Sequence, residues 1–186
     1  KYNMRPPEIL EKMGIFEGPC LAAHCVYLND NDIEILRRNN VTVAHNPVSN
    51  LKLGSGFADI KKLIDAGINV AIGTDGPASN NNLDLYKDMR IASYLAKGIY
   101  KDASVVSAAQ IIKSVTVNGA RGLCFENTGE IKEGMEADIQ ILNTNIHSMN
   151  PLGDPLAAIV YIVDANCVET LMVSGKILMR NLELLT

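Results

Sequence analysis

Three short apolar segments, each ending near an ionisable side chain, constrain the fold of this chain more than any other feature. Residues 20–26, 41–45 and 70–72 have strand-like composition, and each is followed by a polar loop and then by a helical pattern. Strands that alternate with helices are typical of a parallel sheet. The first part of the chain is therefore predicted to be built from successive strand-loop-helix units.

His24, His45 and Asp75 occupy the same relative position in these units, at intervals of 21 and 30 residues. Such intervals fit one strand-loop-helix unit each, and the carboxyl ends of parallel strands meet at one rim of the sheet. We expect the three side chains at that rim, with His24 and Asp75 projecting from neighbouring strands into a shared pocket. The alternatives are a core histidine and an Asp-Gly turn, but three matching positions favour a functional site.

The polar segments between the strands predict the remaining local structure. Residues 46–50 contain a proline and are predicted to form a loop, and residues 57–66 to form a helix. Residues 79–82 are predicted to cap a helix over 83–97, which explains the asparagine run without a substrate contact. A second helix is predicted over 104–117.

The pattern changes near residue 128, where alternating strands replace the strand-helix rhythm. Residues 168–173 and 176–180 flank a Ser-Gly turn and predict a β-hairpin, and residues 137–142 predict a further strand. Residues 156–162 are short and mainly apolar. The predicted organisation is an α/β part over 1–127 and a small antiparallel β domain segment over 128–186.

Composition and charge argue against several classes of partner. The net charge is −4, basic residues are scattered and tryptophan is absent, which argues against a nucleic-acid surface. No apolar run has the length needed to cross a bilayer, so no membrane partner is expected. The four cysteines lack metal-binding spacing; Cys20 and Cys25 are predicted to be buried free thiols in a reducing, cytoplasmic compartment.

Four sequence stretches carry a resemblance to a known family: AHCV at 23–26, AHNPVSNLKLG at 44–54, GTDGPASNN at 73–81, and GEIKEG at 129–134 with Ala137-Asp138. Together they resemble the amidohydrolase superfamily, and within it the methylthioadenosine/S-adenosylhomocysteine deaminase and chlorohydrolase branch. The resemblance covers nearly the whole chain. It implies the C-terminal part of a (β/α)8 metal-dependent hydrolase barrel plus part of a small β-sandwich domain.

The resemblance also implies a chemistry and a set of site residues. The family uses one divalent metal, zinc or alternatively iron, to activate water for hydrolytic release of ammonia from a purine nucleoside. Asp75 resembles the carboxylate that binds the metal and carries the proton, and His24 resembles the histidine that orients the reacting centre. His45 and Asn50 belong to a motif to which we assign substrate contact or support.

Other parts that the resemblance implies are absent from this sequence. The family's His-x-His metal pair does not occur, since the histidines are at 24, 45 and 147, and the metal histidine and glutamate of the fifth barrel strand are missing. Only three barrel strands are recognisable. We therefore expect the N-terminal half of the barrel to be a necessary partner and the chain alone to be inactive.

The expected function is hydrolytic deamination of an adenosine thioether, methylthioadenosine or S-adenosylhomocysteine. Another copy of the enzyme, in a homo-oligomer, is included among the expected partners. One alternative is a guanine or triazine amidohydrolase of the same branch. Another is a non-catalytic scaffold that has kept the fold.

Overall fold

The first half of the molecule alternates strands with helices. The structure is a computed structural model, and it describes residues 3–185 of the chain. Each strand is short, three or four residues long, and most of the helices that follow begin at a proline or at an Asp, Asn or Ser cap. In chain order the elements are α1 (Pro6–Lys12), β1 (Leu21–Ala23), α2 (Asp30–Arg38), β2 (Thr42–His45), α3 (Pro47–Lys52), α4 (Ile60–Asp65), β3 (Val70–Ile72), α5 (Pro77–Asn80), α6 (Leu85–Tyr100), α7 (Ala108–Val115) and α8 (Val117–Gly122).

Strands β1, β2 and β3 form one parallel sheet in that order, as the alternating pattern predicted. Ala23 pairs with Ala44, and His45 pairs with Ile72, so the three strands end at one level. The loops that follow the strands therefore leave from one rim of the sheet. This rim is where side chains just beyond each strand can meet.

The core fills the space between this sheet and the helices. Val43 and Val70 of the sheet are buried, and so are Leu63 of α4, Met89 of α6 and Ile111 of α7. These side chains belong to one apolar cluster. Burial of apolar side chains is the main favourable contribution to folding. It stabilises the packing of the helices on the sheet from which the rim loops leave.

A second sheet lies in the later part of the chain. Its strands are antiparallel in the order β4-β5-β6-β7, and the predicted hairpin is confirmed by the pairing of Val173 with Lys176. Most of the apolar segment 156–162 lies in a helix that ends at Tyr161 and is capped by Asp154, and this helix packs against α6 and α7. The elements are β4 (Ile139–Leu142), α9 (Pro155–Tyr161), β5 (Val168–Val173), β6 (Lys176–Arg180) and β7 (Glu183–Leu184).

Several local predictions around the rim are wrong. Most of the predicted loop over 46–50 lies in α3, because Pro47 occupies the first turn, where its fixed φ suits a helix. Residues 79–82 do not cap the long helix: a short helix, α5, ends at Asn80, and Asp84 caps α6 by accepting a hydrogen bond from the Tyr86 N–H at 3.0 Å.

The four cysteines are free thiols, as predicted for Cys20 and Cys25, but the burial of these two differs from the prediction. Cys20 and Cys25 are only half-buried, whereas Cys167 is buried. Burial nevertheless raises the pKa of Cys25 to about 11, so this thiol stays protonated at neutral pH. Within residues 3–185, no helix combines the length and the apolar character needed to cross a membrane.

Candidate active site

His24 and Asp75 sit just beyond the ends of β1 and β3, on tight backbone turns. Both residues have left-handed φ values, 68° for His24 and 62° for Asp75, which stop the strand and redirect the chain. Since β2 lies between β1 and β3, the prediction that the two residues project from neighbouring strands is wrong. They approach each other across the end of the middle strand.

The Asp75 carboxylate is ionised and held by two hydroxyl groups. Its Oδ2 accepts hydrogen bonds from Ser49 Oγ at 2.6 Å and from Ser79 Oγ at 2.8 Å. The Ser49 bond, then the Ser79 bond and the Gly76 backbone lower the pKa of Asp75 to about 2, and the charge of His24 contributes in the same direction. The Oδ1 atom receives neither hydroxyl, and Asp75 as a whole residue is exposed.

The His24 ring is held by the side chain of Asn50. Its Nδ1 lies 2.8 Å from Asn50 Oδ1. Because an amide oxygen only accepts hydrogen bonds, Nδ1 carries the proton and Nε2 is left able to accept one. Asn50 is itself buried, so the ring is fixed against a rigid partner rather than a mobile surface group.

One short helix therefore holds both ionisable groups. Ser49 and Asn50 are consecutive residues of α3; the first binds Asp75 and the second binds His24. Helix α3 follows the middle strand, so it lies over the gap between the outer strand ends. The sequence prediction included Asn50 but missed Ser49 and Ser79, although both serines stand inside the quoted motifs.

His45 does not join this pair. It is the last residue of β2, its side chain is 1% exposed, and its Nδ1 has no hydrogen-bond partner among the described residues. Burial lowers the pKa of His45 to about 4, which keeps the ring neutral at physiological pH. His45 therefore ends its strand at the level of the rim, as the strand pattern predicted, but its ring is enclosed like that of a core histidine.

A divalent metal would find one suitable ligand in this arrangement. Asp75 Oδ1 belongs to an ionised, exposed carboxylate, the type of oxygen that zinc accepts. Within residues 3–185, however, no group of three or more His, Cys, Asp or Glu side chains is able to hold a metal ion. A catalytic zinc site requires about three protein ligands, so these residues fit a part of such a site.

Comparisons with known proteins agree with this geometry. The family model described as "Amidohydrolase family" matches residues 3–178. A 5-methylthioadenosine/S-adenosylhomocysteine deaminase of Acetivibrio thermocellus is 46% identical over 187 residues, covering 100% of this chain and 43% of the relative. The chain thus spans less than half the length of the curated relatives that it matches.

Two solved structures show the same fold with zinc present. An adenosine deaminase from Xanthomonas campestris with bound zinc has a TM-score of 0.96 at 35% identity, over 100% of this chain and 42% of that one. Atrazine chlorohydrolase from Arthrobacter aurescens, complexed with zinc, has a TM-score of 0.92 at 27% identity, over 99% and 41%. The fold is that of the C-terminal part of a (β/α)8 hydrolase barrel with part of its small β domain.

Proposed function

Since this chain belongs to the amidohydrolase family, we propose that it forms part of a metal-dependent aminohydrolase that releases ammonia from an adenosine thioether. The proposed substrate is methylthioadenosine or S-adenosylhomocysteine, the two compounds in the name of the Acetivibrio relative. The proposed site residues are Asp75 as metal ligand and proton carrier, His24 as the group that orients the reacting centre, and Asn50 as support.

One observation carries the proposal: α3 holds an ionised carboxylate and a histidine with a defined tautomer at the same rim. Ser49 and Asn50 fix Asp75 and His24 within hydrogen-bond distance, at 2.6 and 2.8 Å. A positioned carboxylate and a positioned imidazole are side chains that general acid–base catalysis uses.

The chemistry follows from the state of each group. A bound divalent metal would supply an activated water for attack on the carbon that carries the amine. Asp75 would hold the metal through Oδ1, and its low pKa makes it a ligand at any physiological pH. The same carboxylate can carry a proton to the leaving amine, while His24 Nε2 can bind and orient the reacting group.

The test is turnover by the complete protein at matched substrate concentrations. Ammonia release is measured with methylthioadenosine, S-adenosylhomocysteine and guanine, and chloride release is measured with atrazine. Asp75→Asn keeps the shape of the side chain but removes its charge. His24→Asn keeps a polar side chain but removes the imidazole ring. We expect kcat to fall by about 10²- to 10⁴-fold in each. Asp102→Asn is the matched control, because Asp102 is exposed and its carboxylate bonds only to Ser104 in the loop after α6.

The outcomes separate the alternatives. Faster turnover of guanine or atrazine than of either thioether would replace the substrate assignment by the alternative branch members. Absence of ammonia release from the three amino compounds, together with absence of chloride release from atrazine, would favour a non-catalytic scaffold. Full activity in Asp75→Asn would contradict the role of this carboxylate.

A further inference from the structure

Asp88 is a buried carboxylate that the proposed reaction does not use. It lies in the first turn of α6 and is 0% exposed. Its Oδ1 accepts a hydrogen bond from the Val48 N–H at 3.2 Å, and its Oδ2 accepts one from Asn80 Nδ2 at 3.0 Å. Burying a carboxylate costs free energy unless hydrogen-bond donors compensate for the lost water. The two donors that Asp88 binds therefore show which parts of the structure it connects.

The first donor connects Asp88 to the start of α3. Helix α3 has no side-chain N-cap of its own, and Pro47 at its first position has no N–H. The Val48 N–H is therefore a free donor of the first turn, and Asp88 satisfies it from a distant helix. A carboxylate at this end also interacts favourably with the helix dipole.

The second donor connects Asp88 to the loop that carries Asp75. Asn80 Nδ2 donates to Asp88 and also to the Thr74 carbonyl oxygen at 2.7 Å. Thr74 directly precedes Asp75 in the chain. Asp88 is thus bonded to the helix that holds both site side chains and, through Asn80, to the turn on which Asp75 stands.

From these contacts we infer that Asp88 is a positioning residue, which aligns His24 and Asp75 by fixing α3 and the 74–80 loop to each other. The inference deepens the proposed function and rests on it for its kinetic consequences. Asp88 does not touch the reacting atoms. Asp88 restricts the motion of helix α3 relative to the 74–80 segment. The relative position of these two segments decides the geometry of the site.

The test is Asp88→Asn in the complete protein, which keeps the side-chain shape but replaces one acceptor by a donor. We expect kcat for methylthioadenosine to fall by about 10- to 100-fold with a much smaller change in KM. In ¹H–¹⁵N spectra we expect the Nδ1–H signal of His24, assigned by its loss in His24→Asn, to broaden or disappear.

Thr42→Val is the matched control. Thr42 is also buried, and its Oγ1 accepts a hydrogen bond from Asn69 Nδ2 at 3.0 Å at the start of β2, the end of the sheet opposite the rim. This variant should lower Tm while leaving kcat and the His24 signal unchanged. If Asp88→Asn behaves in the same way, Asp88 is only structural and the inference is wrong.

Asn80→Ala provides a second route, should Asp88→Asn fail to fold. It breaks the connection to Thr74 but leaves the Val48 bond, so kcat should fall while the His24 Nδ1–H signal persists. Unchanged kcat in Asn80→Ala would contradict the inference. If the wild-type protein releases no ammonia from any compound, the proposed function fails, and the His24 signal in Asp88→Asn alone decides whether Asp88 positions α3.

Discussion

The two histidines at adjacent strand ends have opposite environments, although their sequence contexts look alike. His24 follows the edge strand β1, is half-buried and binds Asn50. His45 ends the central strand β2, which has neighbours on both sides, and its ring is enclosed. Position within the sheet therefore decides which imidazole stays partly exposed and which is enclosed and neutral.

The buried histidine predicts a pH-dependent stability. Because the pKa of His45 is lowered to about 4, the unfolded chain binds a proton that the folded chain does not as pH falls below about 6.5. The free energy of unfolding should then decrease by at most about 1.4 kcal/mol per pH unit between those values. Urea unfolding at pH 7 and pH 5 should show a smaller decrease in His45→Gln.

Exposed His147 supplies the control for this measurement. His147→Gln should show the same decrease between pH 7 and pH 5 as the wild-type protein. Carboxylates contribute equally to all three proteins, so the difference between variants isolates His45. Equal slopes in wild type and His45→Gln would contradict the assignment of a neutral, buried ring.

At the scale of elements, the contact between α8 and the sheet depends on a glycine. A Cβ at Gly122 would lie 2.7 Å from Thr42 Cγ2 of β2 and 3.5 Å from Leu21 Cδ1 of β1. Threonine is stiff at χ1 and cannot move its methyl group easily. Gly122→Ala should therefore lower the free energy of unfolding by about 1–3 kcal/mol in urea titrations.

Gly98 provides the opposite case within a helix. It is an exposed residue of α6, and no atom lies within 4 Å of a Cβ built on it. Gly98→Ala should raise the free energy of unfolding by about 0.5–1 kcal/mol, since alanine loses less backbone entropy. A lower free energy of unfolding in Gly98→Ala would contradict the prediction for the open helix position. An unchanged free energy of unfolding in Gly122→Ala would contradict the predicted clash with Thr42.

Sequence patterns predicted the strands better than the helices between them. The parallel order of β1–β3 and the β5–β6 hairpin followed from apolar runs and turn residues. Helix α3 was missed because its proline looks like a loop signal when the tertiary partner of its first turn, Asp88, lies forty residues away. Long-range capping of this kind leaves no local pattern.

The same limit applies to the site. His24 and Asp75 could be found because each ends an apolar run, which is a local signal. Ser49 and Ser79 both donate hydrogen bonds to the Asp75 carboxylate. Ser49 is distant from Asp75 in sequence and Ser79 follows it across a turn, so neither contact can be recognised before the fold is known. Their presence inside recognisable motifs was the available clue.

At the scale of the whole molecule, the parallel sheet has an open side. Strand β1 pairs only with β2 among the described strands, and Leu21 of β1 is 43% exposed. An unpaired strand edge is a surface on which another strand can add. The chain also matches less than half the length of its curated relatives, so the proposed enzyme requires further barrel strands.

The metal content should distinguish this chain from the complete protein. Asp75 is the one proposed ligand, and no cluster of three potential ligands exists within residues 3–185. After dialysis against trace zinc, the 186-residue chain should retain well under one equivalent by plasma emission spectroscopy, and the complete protein about one. Asp75→Asn in the complete protein should lower that content, whereas Asp102→Asn should not. One tightly held zinc on the short chain that survives Asp75→Asn would show that its ligands come from elsewhere in the chain, and that the rim between β1 and β3 is not where the metal binds.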